Sequence, residues 1–299
     1  MRRESDVVPL DKRTPGVPTI EPLIFPKLER LYARRAKRLT ALADQQGEYF
    51  HFLSRLVDVQ KRLVEHSFLS ASAAAALHAL IRQGYDHPGL EQALADLSVW
   101  QDVYAELVRE LAASLPSPAR ATLETALWAP STLSHQAARL LRGDYSNVDS
   151  GLAVVLWAAL SVCWAQTMAH VGQEAKGGQV ASCPCCGAPP VGSLVLGGDR
   201  EGLRYLQCSL CETRWHRVRG VCISCEASGR LEHYTLDDLK SAIQAETCGD
   251  CKTYVKVFRL DYDPELEAVA DDLGSLMLDR MVEEEGFTRL GLNPFSFPA

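Results

Sequence analysis

The chain has 299 residues, of which 47% are apolar, so it is long enough to bury more than one compact core. Its net charge of −7 arises at one end, because residues 1–180 carry 19 basic and 19 acidic side chains whereas residues 181–299 carry 12 and 19. A dedicated nucleic-acid binder normally has a basic surplus that displaces counterions from phosphate, so we expect no nucleic-acid partner.

The first 20 residues are rich in charge and proline and are predicted to form a flexible arm. This segment has no apolar stretch of the kind that a secretory signal requires. Most of the cysteines occur as C-x-x-C pairs, which suit metal binding in a reducing compartment better than structural disulfides. We therefore expect a cytoplasmic protein.

Residues 21–175 are predicted to form an α-helical domain, because apolar residues recur there at three- and four-residue spacing. Turn-forming stretches separate helices expected at about 70–83, 90–114, 118–128, 131–142 and 149–173. The segment 151–169 has no charged residue and approaches the length of a membrane span. It stands alone and contains Ser161, Gln166 and Thr167, so we expect a helix buried in a soluble core and no membrane insertion.

The pattern changes after Gly177 and Gly178, where short β-type runs begin. We expect strands within 192–198, 203–208, 213–220, 231–236 and 252–263, followed by one amphipathic helix from 265 to about 285. The sequence thus predicts an α+β protein: an all-α domain, two tandem rubredoxin-like or zinc-ribbon β modules, and a C-terminal helix. The modules are assigned to 176–221 and 222–262, and the helix with its tail to 263–299.

Nine of the ten cysteines lie between residues 183 and 251, and eight of these form four C-x-x-C pairs separated by 21, 10 and 22 residues. A C-x-x-C turn places two sulfurs on one ion, and two such turns joined by a hairpin complete a tetrahedral four-sulfur site. The repeated long, short, long spacing favours tandem sites, although the short middle gap also permits cross-bracing between pairs one and three and pairs two and four. The predicted metal ligands are Cys183, Cys186, Cys208, Cys211, Cys222, Cys225, Cys248 and Cys251.

Two cysteines are left outside these pairs. Gly187 follows Cys186 and permits a left-handed backbone beyond the turn, so Cys183 and Cys186 are predicted as ligands and Cys185 points elsewhere. Cys163 lies within the apolar helix and is predicted to be part of the core.

Four thiolates suit either zinc or rubredoxin-type iron, and they leave no coordination position open for Lewis-acid catalysis. The bound centre would carry a charge of −2 with a dication. Arginines near the cysteines would offset this charge or hold an acidic partner. The predicted partner-binding residues are Arg204, Arg214, Trp215, Arg217 and Arg219.

At these residues the sequence resembles the formate dehydrogenase accessory protein family, FdhE. The resemblance rests on "LIFPKLERLYARRAKRL", "CPCCGAPPVGSLV", "GLRYLQCSLCETRWHRVRGVCISCE", "AETCGDCKTYVKVF", "EAVADDLGSLMLD" and "GLNPFSFP", and it runs from about residue 20 to the end. Cys185 departs from the small non-ligand residue expected there, which adds a thiol without removing a ligand.

The resemblance implies a non-catalytic assembly factor that binds the catalytic subunit of respiratory formate dehydrogenases before the loaded enzyme is exported by the twin-arginine route. It also implies rubredoxin-like sites and favours iron over zinc. Two other hypotheses remain open. One is a redox protein that passes electrons to the client enzyme or senses oxygen for it; the other is a zinc-ribbon nucleic-acid binder, which the net charge disfavours.

Overall fold

The computed structural model describes residues 20–66, 69–171, 177–238 and 240–297. Residues 1–19 of the predicted arm lie outside these ranges. The predicted end of the long helix at 173, the predicted domain boundary between 175 and 176, and the last two residues of the tail also lie outside them.

The N-terminal part of the described chain is helical. Its helices, in chain order, are α1 (Leu28–Gln46), α2 (Glu48–Glu65), α3 (Ala71–Gln83), α4 (Leu90–Asp96), α5 (Val99–Leu111), α6 (Ser117–Leu127), α7 (Pro130–Leu141) and α8 (Ser150–Val171). The single helix expected at 90–114 is wrong: α4 ends at Asp96, and Ser98 begins a second helix. The backbone leaves the helical conformation at Leu97, where φ is −101° and ψ is 79°, and the Ser98 carbonyl then accepts from the Asp102 amide at 3.0 Å to start the next helix.

Helix α8 is the centre of the helical domain. Residues 152–168 are buried without interruption, and they pack chiefly against α3 and α5. Ser150–His170 is long and apolar enough to cross a membrane, but 89% of its most apolar window is buried inside the protein, as in the core helix of a soluble protein. Gln60 of α2 donates from Nε2 to the Ala158 carbonyl at 2.9 Å, which fixes one neighbouring helix against it.

The C-terminal part is built on one sheet. Its strands are β1 (Leu23–Ile24), β2 (Pro190–Val195), β3 (Arg204–Cys208), β4 (Arg214–His216), β5 (Leu231–Tyr234), β6 (Ile243–Cys248), β7 (Thr253–Arg259) and β8 (Thr288–Arg289). The order across the sheet is β1-β4-β3-β2-β7-β6-β5, and β8 pairs with β7. Strands β2–β4 and β5–β7 are two antiparallel units of similar design, which join through the parallel pair β2 and β7.

The junction between these two units depends on a glycine. A Cβ on Gly192 would lie 2.7 Å from a ring carbon of Phe258 and 2.9 Å from the Lys256 carbonyl oxygen. Such distances are far below normal contact, so only glycine allows β2 to approach β7 this closely. The two β modules are therefore packed as one continuous sheet.

The C-terminal helix predicted from 265 to 285 is wrong as a single element. It consists of α9 (Ala268–Leu273) and α10 (Leu276–Glu284), separated at Gly274 and Ser275. The Ser275 hydroxyl donates to the Asp271 carbonyl at 2.7 Å, and glycine has a low helix propensity, so the chain breaks at this point. The tail then returns to the helical domain, where the Phe297 ring lies 5.6 Å from the Trp157 ring.

Together these elements confirm the predicted α+β fold class: a helical domain, a sheet region with two four-cysteine groups, and a C-terminal helical segment. The sequence did not predict β1, β6 or β8. Strand β6 includes Gln244 and Glu246, which interrupt the apolar pattern yet are buried.

Candidate metal centres

The first four-cysteine group lies where β3 ends, between the sheet and the helical domain. The Sγ atoms of Cys183 and Cys211 are 3.6 Å apart, and those of Cys186 and Cys208 are 3.4 Å apart. All four sulfurs lie within 4.8 Å of one another, and all four residues are buried.

The second group repeats this arrangement at the end of β6. The Sγ atoms of Cys222 and Cys251 are 3.7 Å apart, and those of Cys225 and Cys248 are 3.6 Å apart. Here Cys225 is exposed and Cys251 is half-buried. In both groups the first cysteine contacts the fourth and the second contacts the third, so the tandem arrangement is confirmed and cross-bracing is wrong.

One backbone feature is common to all four C-x-x-C turns. The residue after the second cysteine has a left-handed backbone in each, with φ of 77° at Gly187, 61° at Glu212, 63° at Glu226 and 58° at Lys252. In three turns its amide donates to the carbonyl of the first cysteine, as at Gly187 to Cys183, where the distance is 2.8 Å. The role predicted for Gly187 is therefore present at every turn, although three turns use a residue for which this backbone is strained.

Several groups direct their hydrogens at the sulfurs. The amides of Leu210 and Cys211 each lie 3.3 Å from Cys208 Sγ, and the Ser224 amide lies 3.4 Å from Cys222 Sγ. The amide hydrogen bonds favour the thiolate form, which is the form that binds metal. Thr213 and Thr253 lie two residues after the last cysteine of each group. The Cys211 thiol donates to the Thr213 hydroxyl at 3.3 Å, and Cys251 Sγ and the Thr253 hydroxyl are 3.0 Å apart, where either group can donate.

These distances fit a metal ion and do not fit disulfides. Four sulfurs arranged tetrahedrally about 2.3 Å from an ion lie roughly 3.8 Å apart, whereas a disulfide requires about 2.0 Å. Burial raises the pKa of the Cys183, Cys186 and Cys208 thiols, whereas at Cys211 hydrogen bonds with the neighbouring thiols outweigh burial and lower the pKa. An ion that binds here would displace the remaining thiol protons. Both groups can therefore hold a tetrahedrally coordinated ion.

The first group is tied to the helical domain by buried charges. Glu212, which follows Cys211, accepts from Nη1 and Nη2 of Arg35 at 2.7 and 2.9 Å. Arg35 also donates to Glu267 at 3.1 Å, and Glu267 accepts from the Ala270 amide at the start of α9. Helix α1, the first cysteine group and the C-terminal helices thus meet at a single guanidinium.

A buried arginine also lies beside the second group. Arg217 is 2% exposed, and its Nη2 donates weakly to the carbonyls of Cys222 and Ile223 at 3.5 and 3.3 Å. Among the described residues, its Nε and Nη1 have no hydrogen-bond partner. Burial lowers the pKa of Arg217, and the charges of Glu226 and Cys222 oppose that shift. The charge of an anionic four-thiolate centre would add to this compensation.

The predicted partner-binding residues are mostly enclosed. Arg204 and Trp215 are buried; Arg204 donates to Glu246 at 2.7 Å, and Trp215 donates from Nε1 to the Val180 carbonyl at 3.0 Å. Arg217 is buried as described above, and Arg214 is half-buried and donates to Gln207 at 3.0 Å. Arg219 alone of the five has an exposed side chain, so the predicted arginine patch is not presented at the surface as a unit.

The remaining cysteines are separate from both groups. Cys163 is fully buried in α8, as expected for a core residue, and burial raises its pKa. Cys185 is half-buried and packs against the core beside the first group without joining it.

Sequence reasoning missed the side chains that hold the centres in place. Thr213 and Thr253 occupy the same position in "CETRW" and "CKTYV", so the internal repeat was the signal for their role. Arg35 and Glu212 are separated by 177 residues, and no local pattern connects them.

Comparisons with known proteins cover almost the whole chain. Models of the FdhE N-terminal region, central domain and C-terminal domain match residues 20–179, 182–219 and 221–296. Protein FdhE of Escherichia coli strain K12 is 41% identical over 295 residues, which span 96% of this chain and 94% of the relative. Protein FdhE of Escherichia coli O127:H6 has the same identity and coverage.

A solved structure agrees with the sequence matches. The crystal structure of the FdhE protein from Pseudomonas aeruginosa superposes with a TM-score of 0.77 at 30% identity. The match covers 92% of this chain and 98% of that one. The family models, the relatives and the solved structure all point to the same family. The chain belongs to the FdhE family.

Proposed function

We propose that this protein is a non-catalytic accessory factor for the maturation of respiratory formate dehydrogenase, and that it binds the catalytic subunit in the cytoplasm before export. The observation that supports this most strongly is the pair of four-cysteine groups, each able to enclose an ion completely, in a chain of the FdhE family. The eight paired cysteines are the proposed metal ligands.

The sites support a structural and recognition role. Four cysteine sulfurs satisfy a tetrahedral ion, so neither site keeps a position for substrate or water. Segments of about 40 residues bury too little apolar surface to fold alone, and a bound ion stabilises the fold by its binding free energy. We propose the modules 176–221 and 222–262 as such metal-stabilised units between the helical domain (21–175) and the C-terminal segment (263–299).

Buried ion pairs make these parts a single recognition surface. Arg204 of β3 reaches Glu246 of β6 at 2.7 Å, which connects the two modules. Lys256 of β7 lies 3.2 Å from Asp272 and 2.5 Å from Asp279, which connects the second module to the C-terminal helices. A client would therefore meet a preorganised surface, and little ordering entropy would be lost on binding.

Co-purification tests this proposal. The tagged full-length chain, prepared with metal and after chelation, is mixed with the formate dehydrogenase catalytic subunit and with a cytoplasmic oxidoreductase that is not exported. We expect a one-to-one complex with the formate dehydrogenase subunit alone, and weaker binding after chelation. Failure to bind that subunit in either state would contradict the proposal.

The metal is proposed to be iron on the basis of the family resemblance, with zinc as the alternative. Exposure of Cys225 favours a second candidate function, because an iron ion behind a surface sulfur could exchange electrons with a partner. Anaerobic visible spectra separate the two functions. A colourless, zinc-only protein prepared without oxygen would exclude the redox function and leave the accessory function intact.

A further inference from the structure

The two four-cysteine groups differ in their access to solvent. In the first group Cys183 and Cys186 are 3% exposed, and Cys208 and Cys211 are fully buried. In the second group the inner cysteines are 4% and 1% exposed at Cys222 and Cys248, but Cys225 is exposed and Cys251 is half-buried.

The first group is closed by the helical domain. Trp157 of α8 donates from Nε1 to the Ser209 carbonyl at 2.9 Å, and the Ser161 hydroxyl of the same helix donates to the Leu210 carbonyl at 2.8 Å. Both carbonyls belong to the turn between Cys208 and Cys211. Helix α8, the core helix, therefore covers the turn that carries Cys208 and Cys211, and opening this side of the site requires α8 to separate from the sheet in the most stable part of the fold.

Within the part of the chain that the structure describes, no segment covers the outer side of the second group in this way. Ser224, Cys225 and Glu226 form an exposed turn, and Asp250 and Lys252 are exposed on the opposite turn. The sulfurs of the exposed side can leave an ion while the two buried sulfurs still hold it. The second group can open by local motion of a surface turn. Such local openings have the lowest free energies among the opening motions of a folded protein.

We propose that the second site is a metal-exchange site that takes up and releases its ion in the folded protein, whereas the ion of the first site is locked in place. This inference rests on the proposed binding of two metal ions. The exchanging ligand would be a low-molecular-weight thiol or another small chelator of soft metal ions. With a thiol, the incoming sulfur would bind the ion as a thiolate, the bond between the ion and Cys225 would break, and the Cys225 thiolate would take up the proton that the incoming thiol released. No oxidation state changes.

The two buried sulfurs are the anchors of this exchange. Cys222 and Cys248 come from different turns, and each lies opposite one of the two more exposed cysteines, Cys251 and Cys225. After the first substitution, the ion stays bound through the three remaining cysteine sulfurs and the incoming ligand. Release then follows by stepwise substitution, with Cys251 next because it is half-buried.

The test uses the full-length zinc-loaded protein and an excess of a chromogenic chelator. We expect one equivalent of zinc per chain to be released more than about tenfold faster than the other, because opening free energies differ between surface turns and the core. Alkylation with N-ethylmaleimide after the fast phase, read by mass spectrometry, should modify Cys222, Cys225, Cys248 and Cys251 and spare the cysteines of the first group. Half-buried Cys185 reports whether the reagent reaches the first turn.

Matched serine variants show which of the two sites gives each phase of zinc release. Cys225→Ser should remove the fast equivalent and leave the slow one, and Cys186→Ser should do the reverse. If Cys186→Ser does not fold, the labelling of the unmodified chain still decides the question. A single release phase, or first-group labelling in the fast phase, would overturn the inference. Fewer than two zinc ions per chain at the start would instead contradict the proposed metal binding, so the two failures are distinguishable.

Discussion

Arg35 and Glu212 form a bidentate ion pair in the interior, with side-chain exposures of 1% and 0%. Arg35 lies on the first helix, and Glu212 directly follows the last cysteine of the first group. Burial raises the pKa of Glu212, and the guanidinium opposes that shift, so the carboxylate depends on Arg35 to stay charged. The first four-cysteine group and the helical domain are therefore energetically coupled.

Arg35→Met is expected to destabilise the protein by about 3–5 kcal/mol, because it leaves the Glu212 and Glu267 carboxylates buried without their cation. Denaturant unfolding of the metal-loaded protein measures the change. Lys37→Met is the matched control on the same helix, because Lys37 pairs with Glu265 at the exposed surface and should cost less than about 1 kcal/mol. Equal losses of unfolding free energy from the two substitutions would show that the buried ion pair stabilises the protein no more than the exposed one.

Arg217→Met is expected to weaken metal binding at the second site by about tenfold, since it removes a neighbouring positive charge worth about 1.4 kcal/mol. The metal-free protein should be as stable as the parent or more stable, because a buried guanidinium with unpartnered nitrogens is removed. Chelator competition gives the affinity and denaturant unfolding gives the stability. Arg219→Met, at an exposed position, should change neither; a purely structural Arg217 would lower stability without the loss of affinity.

Asp272→Asn is expected to destabilise the protein by about 3 kcal/mol at neutral pH, because Asp272 accepts from Arg289 at 2.6 Å and lies 3.2 Å from Lys256. Burial opposes ionisation of Asp272, but Arg289 and Lys256 outweigh it and lower its pKa. The stabilisation is therefore complete above the unfolded pKa of about 3.9 and is lost as the pH falls through the folded value. The gap between parent and variant should narrow below about pH 4; a gap that is constant with pH would refute this explanation.

Gly187→Ala is expected to cost about 1–2 kcal/mol, because φ at this position is 77° and only glycine adopts it without strain. Glu226→Gly is the complementary change at the equivalent turn of the second group, where φ is 63°. It should leave stability unchanged or raise it by up to about 1 kcal/mol. Thermal unfolding of the metal-loaded proteins compares them, and a loss of stability in both would argue against backbone strain.

The sequence was most informative where the spacing of residues determines which of them can bind one ion. Four C-x-x-C pairs in a long, short, long pattern predicted the grouping of the cysteines, since a metal turn is a local structure. Cys185 was correctly set apart because one short loop cannot direct three sulfurs at one ion. The helices followed from periodicity, except where Ser98 in the helical domain and Gly274 in the C-terminal segment divide runs that remain apolar on one face.

What the sequence could not predict depends on contacts between distant segments. Arg204 and Arg217 were predicted to bind a partner, since a charged side chain is usually exposed. Arg204 is buried because it pairs with Glu246, which lies 42 residues later in the other module. Arg217 is buried because it folds back on the carbonyls of Cys222 and Ile223, which begin the next module five and six residues later. Strand β6 was missed for the same reason: Glu246 interrupts its apolar pattern, but the partner that allows its burial, Arg204, lies 42 residues earlier.

The most direct test of this account is the metal content of the full-length protein purified without oxygen, combined with a count of its free thiols. Elemental mass spectrometry should find two ions per chain, and all ten cysteines, including the eight of the two groups, should react with a thiol reagent when the ions are removed by denaturation with chelator. Disulfides among the eight grouped cysteines, or protein purified without oxygen that contains no bound metal, would contradict it.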